Sequence, residues 1–326
     1  MTGSDGDLGD LTVAVIGAGE IGLCMAAVFA DAGAAVGLVE PSEAVRAGIP
    51  ARLAALTAEM DDAGLARHRT GSIDVCVSID ALPARVDLVI EAGPEDVSVK
   101  RRLFAALRNR LGDAVPIATT SSAITVSMIL ESPEERRNCL VVHPANPPTL
   151  IRVIECVPSP VTDPAVTAAV ADTLASAGFA PVMLKREVEG FALNRLQSAL
   201  LREAYRLVEA GIVDVEGAER IVSEGLGPRW ALSGPFETAD LNTPGGILAH
   251  AKRLGPAYAR IGRENGEKNL PWSDDLVTEV ARQRRKIVPE AARPARVAWR
   301  RKALVRILKA KAAARDLWEA ERPRDE

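Results

Sequence analysis

A short apolar run, Thr12-Val13-Ala14-Val15-Ile16, leads straight into Gly17-Ala18-Gly19-Glu20-Ile21-Gly22, which opens a helical stretch reaching about Asp31. This strand–turn–helix over a Gly-x-Gly-x-x-Gly spacing is the tightest constraint on the chain. Gly17 permits the turn and Gly19 lets the backbone approach a phosphate. Gly22 lets the helix pack close on the strand. The helix start then offers N–H donors and a positive dipole end to an anion. A second strand, 34–40, ends at Glu40, 18 residues beyond Gly22. An acid there can accept from ribose hydroxyls and repels a 2′-phosphate, so the expected cofactor is NAD. Arg46 is the only nearby cation read from the sequence, six residues further on. Gly17, Gly19, Ile21, Gly22 and Glu40 are the expected cofactor contacts.

The surrounding pattern fits that start. Strand-like runs recur at 73–78, 87–90, 115–119, 139–143, 150–157 and 180–184, alternating with helical stretches 42–62, 96–110 and 163–177. Such alternation predicts an α/β fold, a Rossmann-type and mainly parallel sheet. The pattern changes near residue 186. From Glu187 to Ala210 the chain reads as one long amphipathic helix, with Phe191, Leu196, Leu200, Leu207 and Val208 on its apolar stripe. Gly211 suits its stop and Asp214 the next helix's cap. No strand is expected beyond. Residues 1–186 are therefore expected to bind NAD, and 187–326 to form an all-helical domain. A basic terminal helix from 293 is expected to pack Val297, Leu304 and Leu308 inward.

Composition narrows the partners. Forty Lys and Arg against 44 Asp and Glu give a net charge of -4, and aromatics are 3%. That disfavours nucleic acid, which calls for basic surfaces and stacking platforms. Cys24, Cys76, Cys139 and Cys156 show no CxxC or metal-ligand spacing, so no metal is expected, and free thiols fit a reducing cytoplasm. The acidic start MTGSDGDLGD lacks the basic region of a signal peptide. The apolar stretch Ile21–Val39 contains Asp31, Gly33 and Gly37, and reads as a buried helix and strand, not a membrane span.

Three histidines limit the choice of a general base: His68, His143 and His250. His68 lies in a polar stretch and His250 in a helical one. His143 ends the strand CLVVH and precedes Pro144-Ala145-Asn146-Pro147-Pro148. The carboxyl ends of strands in an open α/β sheet are where ligands bind. On the next strand Glu155 sits among apolar residues, a costly placement unless paired. Alternation turns Arg152 to the opposite side, leaving His143 as the natural partner. A carboxylate-oriented imidazole is the construction of a general base.

These segments resemble the 3-hydroxyacyl-CoA dehydrogenase superfamily, most nearly its L-gulonate 3-dehydrogenase and lambda-crystallin branch. The resemblance rests on GAGEIG at 17–22, DLVIEAGPEDVSVKRRLF at 87–104, TTSSAIT at 119–125, HPANPPTLIRVIECVP at 143–158, GFALNRLQSALLREAYRLVEAGIV at 190–213 and SEGLGPRWALSGPFE at 223–237. It implies NAD-dependent oxidation of a secondary alcohol, with His143 as base and Glu155 as its paired carboxylate. It implies that Ser122 hydrogen-bonds the reacting oxygen, and that Asn194 and Asn146 reach into the same site. Glu95 and Lys100 match residues beside the nicotinamide. Arg229, read as lying on a Pro-bounded turn, matches a residue facing the substrate carboxylate. A cytoplasmic homodimer through the helical domain is also implied.

The branch pattern is broken at Thr149 and Leu150, which take aromatic places, and at Arg152, which takes a proline place. Gly93 replaces a bulkier residue and Glu40 an aspartate. The change at Thr149 is expected to widen or re-polarise a pocket mouth. A small β-hydroxy acid such as L-gulonate leads the substrate reading. A 3-hydroxyacyl thioester on CoA or acyl carrier protein, carnitine, and a non-catalytic crystallin-like role stand as alternatives.

Overall fold

The computed structural model of this chain describes residues 8–232, 234–243, 246–264 and 289–321, together with Asp275 and Arg282. Its strands are β1 (Thr12–Ile16), β2 (Ala35–Val39), β3 (Ser72–Cys76), β4 (Leu88–Glu91), β5 (Ile117–Thr119), β6 (Cys139–Pro144), β7 (Val153–Pro158) and β8 (Ala180–Met183). They form one sheet in the order β3-β2-β1-β4-β5-β6-β7-β8. β1 to β6 run parallel, β7 is antiparallel to β6, and β8 is parallel to β7. The order reverses between β1 and β4, which puts the topological switch point beside the glycine turn. The stretch Ile21–Val39 is indeed a buried helix followed by a buried strand. No helix among the described residues is long and apolar enough to cross a membrane.

Helices cover both faces, and side-chain alternation decides which strand residues meet which layer. On one face Val13, Val15, Val36, Leu38, Leu140, Val142, Ile154 and Cys156 join a core with α1 (Glu20–Asp31), α2 (Glu43–Asp62) and α6 (Pro164–Ser176). On the other, Val89, Ile117, Val141 and Val157 pack with α3 (Val97–Leu111), the short α4 (Val126–Ile129) and Phe191. Another short helix, α5 (Pro133–Arg136), precedes β6. Residues 91, 119, 143 and 155 share the parity of the second set. They therefore point to the α3 side, at the carboxyl ends of β4, β5 and β6.

The long helix begins later than its periodicity suggests. α7 spans Leu193–Glu209. Gly190 at φ +74° and Phe191 at φ +50° are both left-handed, a conformation a helix cannot pass through. Phe191 consequently leaves the expected stripe and turns into the sheet unit, where it is 0% exposed. Among the described residues the rest of that stripe is only partly covered: no α7 residue is buried, Leu196 is 68% exposed, and Leu207 and Val208 are half-buried.

The chain divides into two compact units, Met1–Gln197 and Ser198–Glu326. Among the described residues, the second contains no strand. Gly211 follows α7 with φ +66°, and the Asp214 carboxylate accepts the Gly217 N–H to cap α8 (Val215–Arg220). A π-helical turn (Ile221–Leu226) and helices Gly227–Leu232, Pro235–Leu241, Gly246–Glu264 and Arg293–Glu321 follow. In the last, Val305 is buried and Leu308 is half-buried. The side chains of Val297 and Leu304 lie outside the described residues.

Truncating Phe191 should leave a cavity in the sheet unit. Phe191→Ala is expected to lower the unfolding free energy by about 3–5 kcal/mol in denaturant titration. A loss below about 0.5 kcal/mol would contradict its anchoring role.

Candidate functional site

The glycine turn has the shape of a phosphate cradle. Gly17 has φ +102°, and a Cβ there would stand 2.7 Å from the Ala92 carbonyl oxygen. A Cβ on Gly22 would collide with the Gly17 carbonyl. Gly19, in contrast, faces open space, with nothing within 4 Å of its missing Cβ. It also starts α1 with no side chain capping the helix. That combination leaves room and donors where a pyrophosphate would rest. Glu40 leaves the end of β2 and accepts from the Ala18 N–H at 3.2 Å and the Ser42 N–H at 2.9 Å. These residues fit NAD.

Arg46 turns its guanidinium to the Glu40 and Pro41 carbonyls. It is not the only cation nearby, because Arg52 donates to the Ala18 carbonyl at 3.2 Å. Arg52 reaches the turn from the third turn of α2, too far along the sequence for spacing to flag it.

His143 and Glu155 are direct partners across the antiparallel β6–β7 register. Nδ1 lies 2.8 Å from Oε2, and the two side chains are 7% and 4% exposed. The other oxygen of Glu155 accepts the Ala192 and Leu193 N–H groups at 2.8 and 2.9 Å. One carboxylate thus ties the imidazole to the start of α7. A helix N-terminus favours negative charge by roughly 0.3–1 kcal/mol or more when partly buried. A carboxylate already taking two N–H bonds is an acceptor, so in the neutral imidazole this contact assigns the proton to Nδ1 and leaves Nε2 its lone pair. The Phe191 ring lies 5.4 Å from the imidazole, tilted by 51°. Arg152 points away from this pair, as alternation requires. It stacks over Phe179, and burial lowers its guanidinium to about 10.

The loop after β5 meets the site from the neighbouring strand. Ser121 is buried and its Oγ accepts the Ile124 N–H, so Ser121 shapes the loop. Ser122 is exposed, and its carbonyl accepts from Asn194 Nδ2 at 2.8 Å. Asn194 is therefore engaged with this loop. Glu95 accepts from the Ser121 Oγ–H at 2.6 Å, the Ser122 N–H at 3.0 Å and the Ala123 N–H at 3.1 Å. Burial pushes its carboxyl up. The Ser121 bond, the Lys100 charge and the two N–H groups outweigh that, and Glu95 titrates below the ordinary glutamate value.

Lys100 does not line an open edge. It is 1% exposed and its Nζ lies 2.9 Å from Glu91 Oε2 and 3.6 Å from Glu95 Oε2. Glu91, 0% exposed, is a member of the cluster that sequence reasoning passed over. A Cβ on Gly93 would stand 2.8 Å from Leu103 Cδ1 and 2.9 Å from Glu91 Oε1.

Asn146 is exposed in the loop after His143, joined to Pro147 by a cis peptide. Thr149 and Leu150 do not form a pocket mouth. They are 0% and 1% exposed, because the Leu150 and Ile151 N–H groups bond back to the Pro147 carbonyl and curl the chain onto the α1–α2 layer. There Thr149 donates to Glu59 at 3.3 Å. Arg229 lies within the helix Gly227–Leu232, not on a turn, and is exposed. His68 is 71% exposed beside Asp61, and His250 contacts Thr243 within the helical unit. Among the described residues no cluster could hold a metal ion.

The family described as 3-hydroxyacyl-CoA dehydrogenase, NAD binding domain, matches residues 12–188, and its C-terminal domain matches residues 190–286. The chain belongs to the 3-hydroxyacyl-CoA dehydrogenase family. It is an NAD-dependent oxidoreductase acting on CH–OH. A lambda-crystallin homolog of Bos taurus is 35% identical over 92% of this chain and 95% of its own length. The L-carnitine dehydrogenase of Streptomyces griseus is 33% identical over 73% of this chain and 71% of its own. Among solved structures, a 5-formyl-3-hydroxy-2-methylpyridine 4-carboxylic acid 5-dehydrogenase, described as an NAD+ dependent dismutase, superposes with a TM-score of 0.74. It is 28% identical over 91% of this chain and 98% of that one.

The glycine geometry separates binding from folding within one turn. Gly19→Ala is expected to fold normally and weaken NADH binding at least tenfold, read by fluorescence titration. Gly22→Ala is expected to lower the melting temperature as well, since its Cβ has no room. Equal behaviour of the two variants would contradict the cradle.

Proposed function

We propose that this dehydrogenase oxidises the 3-hydroxyl of a small β-hydroxy acid, L-gulonate-like, with His143 as general base. The observation that carries the reading is the buried His143–Glu155 pair, whose carboxylate is also bonded to the start of α7. When bound, NAD supplies the hydride acceptor. His143 Nε2 takes the hydroxyl proton, and Glu155 keeps the imidazole in the required tautomer and stabilises the imidazolium that forms. Ser122, exposed beside Asn194, donates to the oxygen that becomes a carbonyl. Asn146 approaches the substrate from the loop after the base. Phe191 and the flanking sheet keep water from the buried side of the pair.

Residues 1–186 serve as the NAD-binding domain and 187–326 as the substrate and dimerisation domain. Arg229 suits a carboxylate, because its planar fork can bind both oxygens. A homodimer through the helical unit is supported by apolar side chains that are exposed there among the described residues. Phe236 is 81% exposed, Leu248 82% and Ile212 71%. Four free, buried cysteines suit the cytoplasm.

His143→Ala is expected to reduce turnover by about 10²–10⁴-fold while NADH still binds. Near-normal turnover would refute the assignment. The assay is NAD reduction with L-gulonate, L-3-hydroxybutyrate, L-carnitine and 3-hydroxybutyryl-CoA. Preference for the thioester or carnitine would move the substrate to those classes. Silence on all four, with NAD bound, would favour a more specialised substrate or a crystallin-like role.

Arg229→Met is expected to raise the Michaelis constant for acid substrates about tenfold or more, with smaller change in turnover. An unchanged constant would remove the carboxylate clamp.

A further inference from the structure

The buried cluster beneath the Ser122 loop has a charge arrangement that simple packing would not require. Glu91 ends β4, in register with Thr119 at the end of β5. Both face α3, whose buried side is formed by Lys100, Phe104 and Leu107. Lys100 Nζ donates to both Glu91 oxygens, at 3.2 and 2.9 Å, and lies 3.4 Å from Thr119 Oγ1. Thr119 in turn donates to Glu91 Oε2 at 2.6 Å, and the Gly93 N–H donates to Oε1 at 2.8 Å. Every oxygen of Glu91 is therefore engaged, and its single charge is matched by one ammonium.

Holding such a pair out of water is expensive, and apolar residues of like volume often stabilise a fold as well or better. What apolar residues could not do is fix the ammonium where it also meets Glu95. From Glu95 the connection continues through the Ser121 hydroxyl and the Ser122 and Ala123 N–H groups. It ends at the Ser122 carbonyl, which Asn194 grips.

We propose that Glu91 is a positioning residue: through Lys100 and Glu95, its buried carboxylate sets where the Ser122 loop stands over the site. The assignment rests on the reading that Ser122 meets the substrate oxygen. It also gives Lys100 a task from beneath the site, where its 1% exposure leaves it.

Glu91→Gln keeps the shape and removes the charge. Hydrogen exchange is followed in peptides covering 120–124 and β1, beside steady-state kinetics and NADH titration. Exchange at 120–124 should rise at least tenfold while β1 stays within twofold. Turnover should fall at least tenfold, with the NADH dissociation constant within threefold. Ser121→Ala breaks the same connection at its other end without touching the buried pair. Its loss of turnover should not multiply with that of Glu91→Gln in the double variant, because the two act through one loop. Unchanged exchange at 120–124, turnover within twofold, or fully multiplicative losses would each overturn the proposal. If Glu91→Gln does not fold, Thr119→Val removes a single hydroxyl and carries the same readouts, with a threefold rise in exchange expected and none overturning it. A localised exchange response in a protein that turns over no hydroxy acid would support the loop assignment and overturn the substrate reading instead.

Discussion

The Glu155 carboxylate holds the sheet, the base and the helical segment in one place. One oxygen takes the imidazole of His143 and the other takes two N–H groups at the start of α7. The geometry depends on β7 running antiparallel to β6. In a parallel neighbour, residues 143 and 155 could not be reached by so short a connection, because parallel strands need a crossover of a dozen or more residues. The break in the parallel run is thus what brings an acid twelve residues downstream opposite the base. The left-handed Gly190–Phe191 pair completes the arrangement, because it ends the incoming chain where α7 can aim its first N–H groups at that acid.

A second carboxylate repeats the logic on the adjacent strands. Glu91 is buried at a strand end and satisfied by Lys100, Thr119 and the Gly93 N–H. Both acids face the same layer because residues 91, 119, 143 and 155 share one parity across in-register strands. Two buried carboxylates therefore lie at this edge, one bonded to His143 and one linked through Lys100 and Glu95 to the Ser122 loop. Neither depends on a surface charge that salt would screen.

Much of this was legible in the chain. The glycine spacing, the apolar strands and the alternating helices placed the elements of the sheet unit within a few residues, since each follows from a local period or turn. The pairing of His143 with Glu155 followed from the cost of an unpaired acid in an apolar strand. The same reasoning applies to Glu91 in Leu88-Val89-Ile90-Glu91, and its partner Lys100 lies nine residues on. It was missed because the acid ends its run and reads as a loop residue. Other expectations failed because backbone geometry, which side-chain periodicity does not register, redirected the chain. The start of α7 moved because Gly190 and Phe191 adopt φ values that periodicity does not register. Thr149 became buried because a backbone turn to Pro147 redirects it inward. Arg229 lies on a helix because the chain runs on from α8 through the π-helical turn Ile221–Leu226 into Gly227–Leu232 without a break.

The proposed proton transfer turns on which ring nitrogen of His143 is free to take a proton. Nitrogen-resolved spectra of imidazole-labelled protein report the tautomer of each of the three histidines directly. Neutral His143 is expected as the Nδ1–H form, the less common one in water, reverting to Nε2–H in Glu155→Ala. Finding His143 as Nε2–H in the wild-type protein would contradict the claim, because the nitrogen facing the substrate would then be a donor with no lone pair to offer.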